Sequence, residues 1–113
     1  MRLTFHMTPA ERWAAAATDA PYDAPSLASE GFIHCTDGED ALLATANRHY
    51  REDPRVFVAL TLDLDTVGSP WRTDDPDDIY PHVFGTIDRA AILGVLRMRR
   101  ADDGRFEALE PVR

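Results

Sequence analysis

The 113-residue sequence contains no lysine: all twelve of its basic residues are arginine. That absence excludes a Schiff-base lysine and a lysine phosphate anchor, so any anion bound here is held by arginine, histidine or backbone amides. Cysteine is almost missing as well. Cys35 stands alone, which rules out an intramolecular disulfide and a multi-cysteine zinc site and suits a reducing compartment. No apolar run approaches the roughly 20 residues of a membrane span, and Met1-Arg2-Leu3-Thr4-Phe5-His6-Met7 lacks the apolar core of a secretion signal. A cytoplasmic location is therefore expected.

Positive charge is in short supply. Twenty acidic residues against twelve basic ones leave a net charge of −8 and a pI near 4.8, which disfavours nucleic acid and anionic membranes as partners. A single nucleotide or another small molecule is not excluded by this balance. The 44% hydrophobic content supports a packed core, and the length suits one domain over residues 1–113. A monomer or weak dimer is the expected state.

Hydrophobic spacing assigns the elements. Residues 2–7 alternate as a strand, with Leu3, Phe5 and Met7 on one face and Arg2, Thr4 and His6 on a polar one. Thr8-Pro9-Ala10-Glu11 combines a capping box with proline at the first helical position, predicting a helix to about Thr18 with Ala10, Trp13, Ala14 and Ala17 buried. Residues 19–30 read as an irregular excursion. Gly31-Phe32-Ile33-His34-Cys35-Thr36 reads as a strand, and Thr36 with Glu39 as a capping box for a helix over 37–52. That helix carries Leu42 and Ala46 inward, and Asn47 shares a side with Leu43 and Tyr50, where burial would demand partners.

Residues 55–62 are apolar on both faces and should form a central strand. Residues 70–73 suggest a brief extended segment, and the acidic run 74–78 reads as a solvated loop. Residues 79–84 return to strand character, with Tyr80, His82 and Phe84 facing one way; Pro81 removes a ladder donor and predicts an edge or a bulge. Residues 92–100 and 105–109 make a hairpin about Asp102-Asp103-Gly104, with Ile92, Leu96 and Met98 toward the core. The fold class is α+β, with two N-terminal helices.

Chemistry concentrates in three places: His34 with Thr36, Trp71 with Arg72, and Tyr80 to Phe84. If the two histidine strands neighbour each other, His34 and His82 become candidate catalytic residues that divide general acid and base work. Thr36, Asn47, Trp71, Arg72, Tyr80 and Phe84 are then candidate ligand-binding residues. Arginine, imidazole and an aromatic wall together fit a phosphate or carboxylate attached to a planar ring. The plainer alternative gives each histidine a hydrogen bond to neighbouring backbone and makes Trp71 and Tyr80 core or rim. Cys35 points away from His34, which argues against a Cys–His dyad. No metal is expected, since a third ligand could come only from residues 74–78.

Trp13, Tyr22, Pro25-Ser26-Leu27, Gly31 to Thr36, Ala46-Asn47-Arg48-His49-Tyr50 and Tyr80-Pro81-His82-Val83-Phe84-Gly85, in this order, resemble the bacterial and plant family called domain of unknown function 952. The resemblance spans nearly the whole chain. It implies a distant kinship with the ADP-ribosyltransferase-like fold, which includes the RNA 2′-phosphotransferases. A split, curved, mixed or antiparallel sheet would enclose a cleft for NAD or an ADP-ribosylated group, with His34 and Thr36 against ribose or phosphate. Two departures bear on activity. Glu107 and Glu110 lie too near the end to supply a transferase glutamate, and Trp71-Arg72-Thr73 stands where the family has an acidic residue after an aromatic one, leaving Asp74 as the nearest substitute.

Three readings follow. The first is a small enzyme, or degenerate enzyme, acting on NAD, ADP-ribose or a related nucleotide. The second is a non-catalytic binding or interaction module with structural histidines. The third is a phosphoesterase of the paired His-x-Thr kind, for which His34-Cys35-Thr36 supplies one motif while His82-Val83-Phe84 fails to supply the other.

Overall fold

The computed structural model describes residues 1–112. It is a mixed α+β domain in which two antiparallel sheets share one core and a helix covers a second. Four strands, β1 (Leu3–Pro9), β3 (Phe57–Asp63), β6 (Ile92–Arg100) and β7 (Phe106–Pro111), form the larger sheet in the order β1-β3-β6-β7. Three short strands, β2 (Ile33–His34), β4 (Trp71–Thr73) and β5 (Pro81–Val83), form the smaller sheet in the order β2-β5-β4. Every described strand pair is antiparallel, so the mixed alternative is set aside.

β3 is central, as its two apolar faces require. Val58, Leu60 and Leu62 pack against Ile33 and Val83 of the smaller sheet, while Phe57 and Ala59 meet Leu42 and Ala46 of helix α3 (Glu39–His49). A register shift opposite Thr61 and Leu62 corrects the expected face of β6. Ile92 and Val95 reach the first cluster, whereas Leu96 and Met98 reach the second. A strand with one extra residue switches faces at that point.

Local chemistry revises several predicted elements. Helix α1 spans only Ala10–Ala15, buries no residue and has no side-chain cap, because Pro9 closes β1 directly ahead of it. A third helix, α2 (Pro25–Glu30), lies inside the stretch taken as irregular, so three helices replace the expected two. Pro25 occupies its first turn, and Gly31 ends it in the left-handed conformation at φ 88°, donating its N–H to Leu27 O. α3 begins after Gly38, at φ 84°, with no side-chain cap. Glu39 turns away from Thr36 toward the Leu109 amide.

Pro81 stands in the middle strand of its sheet rather than at an edge. It is tolerated there as the first residue of β5. The acidic run also has structure: the Asp75 carboxylate accepts the Ile79 and Tyr80 amides, and Asp78 accepts the Thr73 hydroxyl.

The two sheets touch edge to edge at one point. Phe5 of β1 and Thr36, just beyond β2, exchange backbone hydrogen bonds of 2.9 and 2.8 Å. On either side of that bridge the strands diverge, and a cleft opens there.

Candidate functional site

His6 occupies the gap where β1 and β2 part. The expected polar face of β1 is its buried one: Thr4, His6 and Thr8 are 2%, 6% and 2% exposed, and the Tyr22 ring packs edge-on against His6. The His6 Nδ1 atom lies 2.7 Å from the His34 carbonyl oxygen, and Nε2 lies 3.1 Å from the Tyr22 hydroxyl. A carbonyl can only accept, so Nδ1 carries the proton and Nε2 accepts from Tyr22. Burial lowers the His6 pKa to about 4, against the weaker opposing pull of the His34 carbonyl. The ring is therefore a neutral strut that satisfies the carbonyl left unpaired by the split.

On the outer face of the smaller sheet, His34 of β2 and His82 of β5 are direct cross-strand partners, and Arg72 of β4 is the next residue in the same row. Alternation sends Ile33 and Val83 inward and the histidines outward. The two imidazole centroids are 5.7 Å apart at 69°. His34 Nε2 is 3.0 Å from Glu30 at the end of α2, and His82 Nδ1 is 3.7 Å from Asp74, which also receives Arg72 Nε at 3.0 Å. Phe32 stacks on His82 at 4.1 Å and leans on His34 at 4.6 Å. The His34 side chain is 53% exposed and that of His82 is 23% exposed.

These residues border a cleft of about 810 Å³. His34, Thr36, Tyr80 and His82 line it, along with Glu30, Asp74 and Asp75. Arg12 of α1 and Thr45, Arg48 and His49 of α3 line the same cleft. Cys35 reaches the same space, but burial, assisted by the charge of Asp37, pushes its thiol up to about 12, which leaves it protonated and inert.

Four expected ligand-binding residues lie outside the cleft lining. Asn47 is committed to β7: its Nδ2 donates to Phe106 O at 3.0 Å and its Oδ1 accepts the Phe106 amide at 2.7 Å. Trp71 packs on the core under the Arg2 guanidinium. Arg72 lies over the Phe84 ring at 4.6 Å, so both belong to the outer face of the sheet beside the histidine row. Glu30, Arg12, Thr45 and Arg48 were missed. Glu30 could have been found from the four-residue spacing to His34 once Pro25 and Gly31 were read as helix ends; the others meet only through the tertiary fold. Among the described residues no three His, Cys, Asp or Glu side chains cluster closely enough to hold a metal ion, and no helix is long and apolar enough to cross a membrane.

No curated protein matches the sequence. Two solved structures resemble the fold: protein CC0527 from Caulobacter crescentus and a double mutant of it. Each is 18% identical, covers 93% of this chain over 93% of its own, and superposes with a TM-score of 0.74. At that identity the likeness speaks for the fold alone. The family model described as Protein of unknown function (DUF952) matches residues 7–95, a span that holds His34, His82 and most of the cleft lining, and the chain belongs to that family.

Proposed function

We propose that the cleft binds a small nucleotide-type ligand of the NAD or ADP-ribose class, and that His34 and His82 share acid–base work on it. The observation that carries this reading is the pair of opposed imidazoles, each beside its own carboxylate, at the edge of a ligand-sized cleft. A neutral imidazole takes a proton from an attacking hydroxyl while its protonated counterpart gives one to the leaving group. Glu30, 3.0 Å from His34, and Asp74, 3.7 Å from His82, orient the two rings. The reading also treats the two-sheet arrangement as a distant form of the ADP-ribosyltransferase-like fold, with His34 and Thr36 against a ribose. The structural role imagined for His34 and His82 fits His6 better, since His6 is the histidine buried between two fixed partners.

Titration calorimetry with NAD, ADP-ribose and AMP tests the proposal. Saturable binding by the wild type that weakens in His34→Ala and His82→Ala is expected. Absence of heat with all three nucleotides would defeat it.

The direct opposition of the two histidines also favours a second reading, hydrolysis of a cyclic phosphodiester held between them. Phe84 stands where the second threonine of that chemistry belongs, and Glu30 and Asp74 would repel the phosphate. Turnover of 2′,3′-cyclic nucleotides would nevertheless establish it over the first.

A further inference from the structure

Most arginines of this chain are spoken for. Arg2, Arg51, Arg55, Arg72, Arg97 and Arg99 face carboxylates, and Arg89 and Arg100 donate to backbone carbonyls. Among the described residues, Arg12 and Arg48 have no such partner, and both line the cleft; Arg105, also without one, sits on the distant β6–β7 hairpin. Arg48 lies one helical turn from Thr45 on α3, and the Thr45 hydroxyl oxygen is buried without a hydrogen-bond partner while its residue lines the same cleft. An orphaned hydroxyl and two guanidinium groups without a carboxylate partner, all lining one cleft, are donors without an acceptor.

Both signs of charge line the cleft. Glu30 and Asp74 stand beside the two histidines, Asp75 lines the same space, and a chain of net charge −8 repels anions wherever no local cation offsets it. Of the arginines lining the cleft among the described residues, Arg55 is paired with Asp53, which leaves Arg12 and Arg48 to offset that field. We infer that Arg12, Thr45 and Arg48 form an anion subsite that takes the phosphate or diphosphate of the ligand, leaving its uncharged, hydroxyl-bearing part to His34 and His82. This rests on the nucleotide reading for its orientation but makes a separate claim about where phosphate binds.

Inorganic pyrophosphate is the first probe, followed by NMR of the arginine Nε–H signals. Shifts confined to Arg12 and Arg48, retained in His34→Ala, are expected; shifts centred on the histidines, or none at all, would overturn the subsite. The second probe compares AMP with adenosine by calorimetry. AMP should bind at least about tenfold tighter, the scale of one charge-assisted hydrogen bond, and Arg12→Gln/Arg48→Gln should abolish that advantage. A double variant that keeps the full preference for AMP sinks the subsite and spares the nucleotide reading. Pyrophosphate binding at Arg12 and Arg48 with no response to any nucleotide supports the subsite and removes the nucleotide reading.

Discussion

The two sheets use the same interactions to different ends. The larger has strands of six to nine residues, while the smaller has strands of two and three. A two-residue strand cannot hold its register by its own ladder. Here the register comes from outside: Cys35 donates to Pro81 O, Asp37 to Ile79 O and Phe84 to Pro70 O, and the Asp75 carboxylate ties down the start of β5. The histidines follow the same division. His6, on the long sheet, is buried and fixed at both nitrogens, whereas His34 and His82, on the short one, keep an exposed edge. Long strands build the frame, and short pinned strands present the chemistry.

The sharpest way to break that comparison is to empty the frame. Leu60 is fully buried on the central strand between the sheets, and Leu60→Ala should cost about 2–5 kcal/mol. Urea unfolding would show a lower midpoint with an unchanged slope. A loss below about 1 kcal/mol would mean that the core does not depend on β3 as described.

Acid should reveal His6 next. Its folded pKa of about 4 lies below the unfolded value near 6.5, so the unfolded chain takes the proton first. Stability from this group is complete above pH 6.5 or so and drains away as the pH falls toward 4, by about 3 kcal/mol in all. Wild type should lose more stability than His6→Gln across this window. Equal losses would show that the buried imidazole is not the source.

Asn47→Ala should cost about 1–3 kcal/mol by stranding the Phe106 amide and carbonyl, and should leave ligand binding unchanged. A binding defect in a stably folded Asn47→Ala protein would return this residue to the site.

Legibility in the sequence followed the range of the forces involved. β3 and α3 were readable because apolar periodicity is local. α2 was too short to show a period, and only Pro25 and Gly31 marked its ends. The alternation sets His6 and Thr4 opposite Phe5 and Met7 as expected, but their side is buried rather than exposed, since a polar alternate looks solvent-bound until Tyr22 and the His34 carbonyl arrive from elsewhere in the chain. Asn47 was rightly seen to need partners, but β7 supplied them rather than a ligand. The two histidine motifs could be picked out, while their direct pairing depended on a register that local spacing does not encode. Arg12 and Arg48 come from helices far apart in sequence, so nothing short of the fold brings them to one cleft.

The smallest expected change in stability is the most informative about the site. The His34 side chain is half exposed, and its partner Glu30 is 51% exposed, so the pair lies in water where such contacts contribute little. His34→Ala should therefore shift stability by less than about 0.5 kcal/mol while weakening nucleotide binding. The backbone carbonyl of residue 34 survives the substitution, so the strut from His6 stays in place, and the fold loses only the contacts of a half-exposed ring with Phe32, His82 and Glu30. A stability loss above about 1 kcal/mol, measured by urea unfolding, would place His34 among the frame residues. The division between a structural long sheet and a chemical short one would then fail at the residue that defines it.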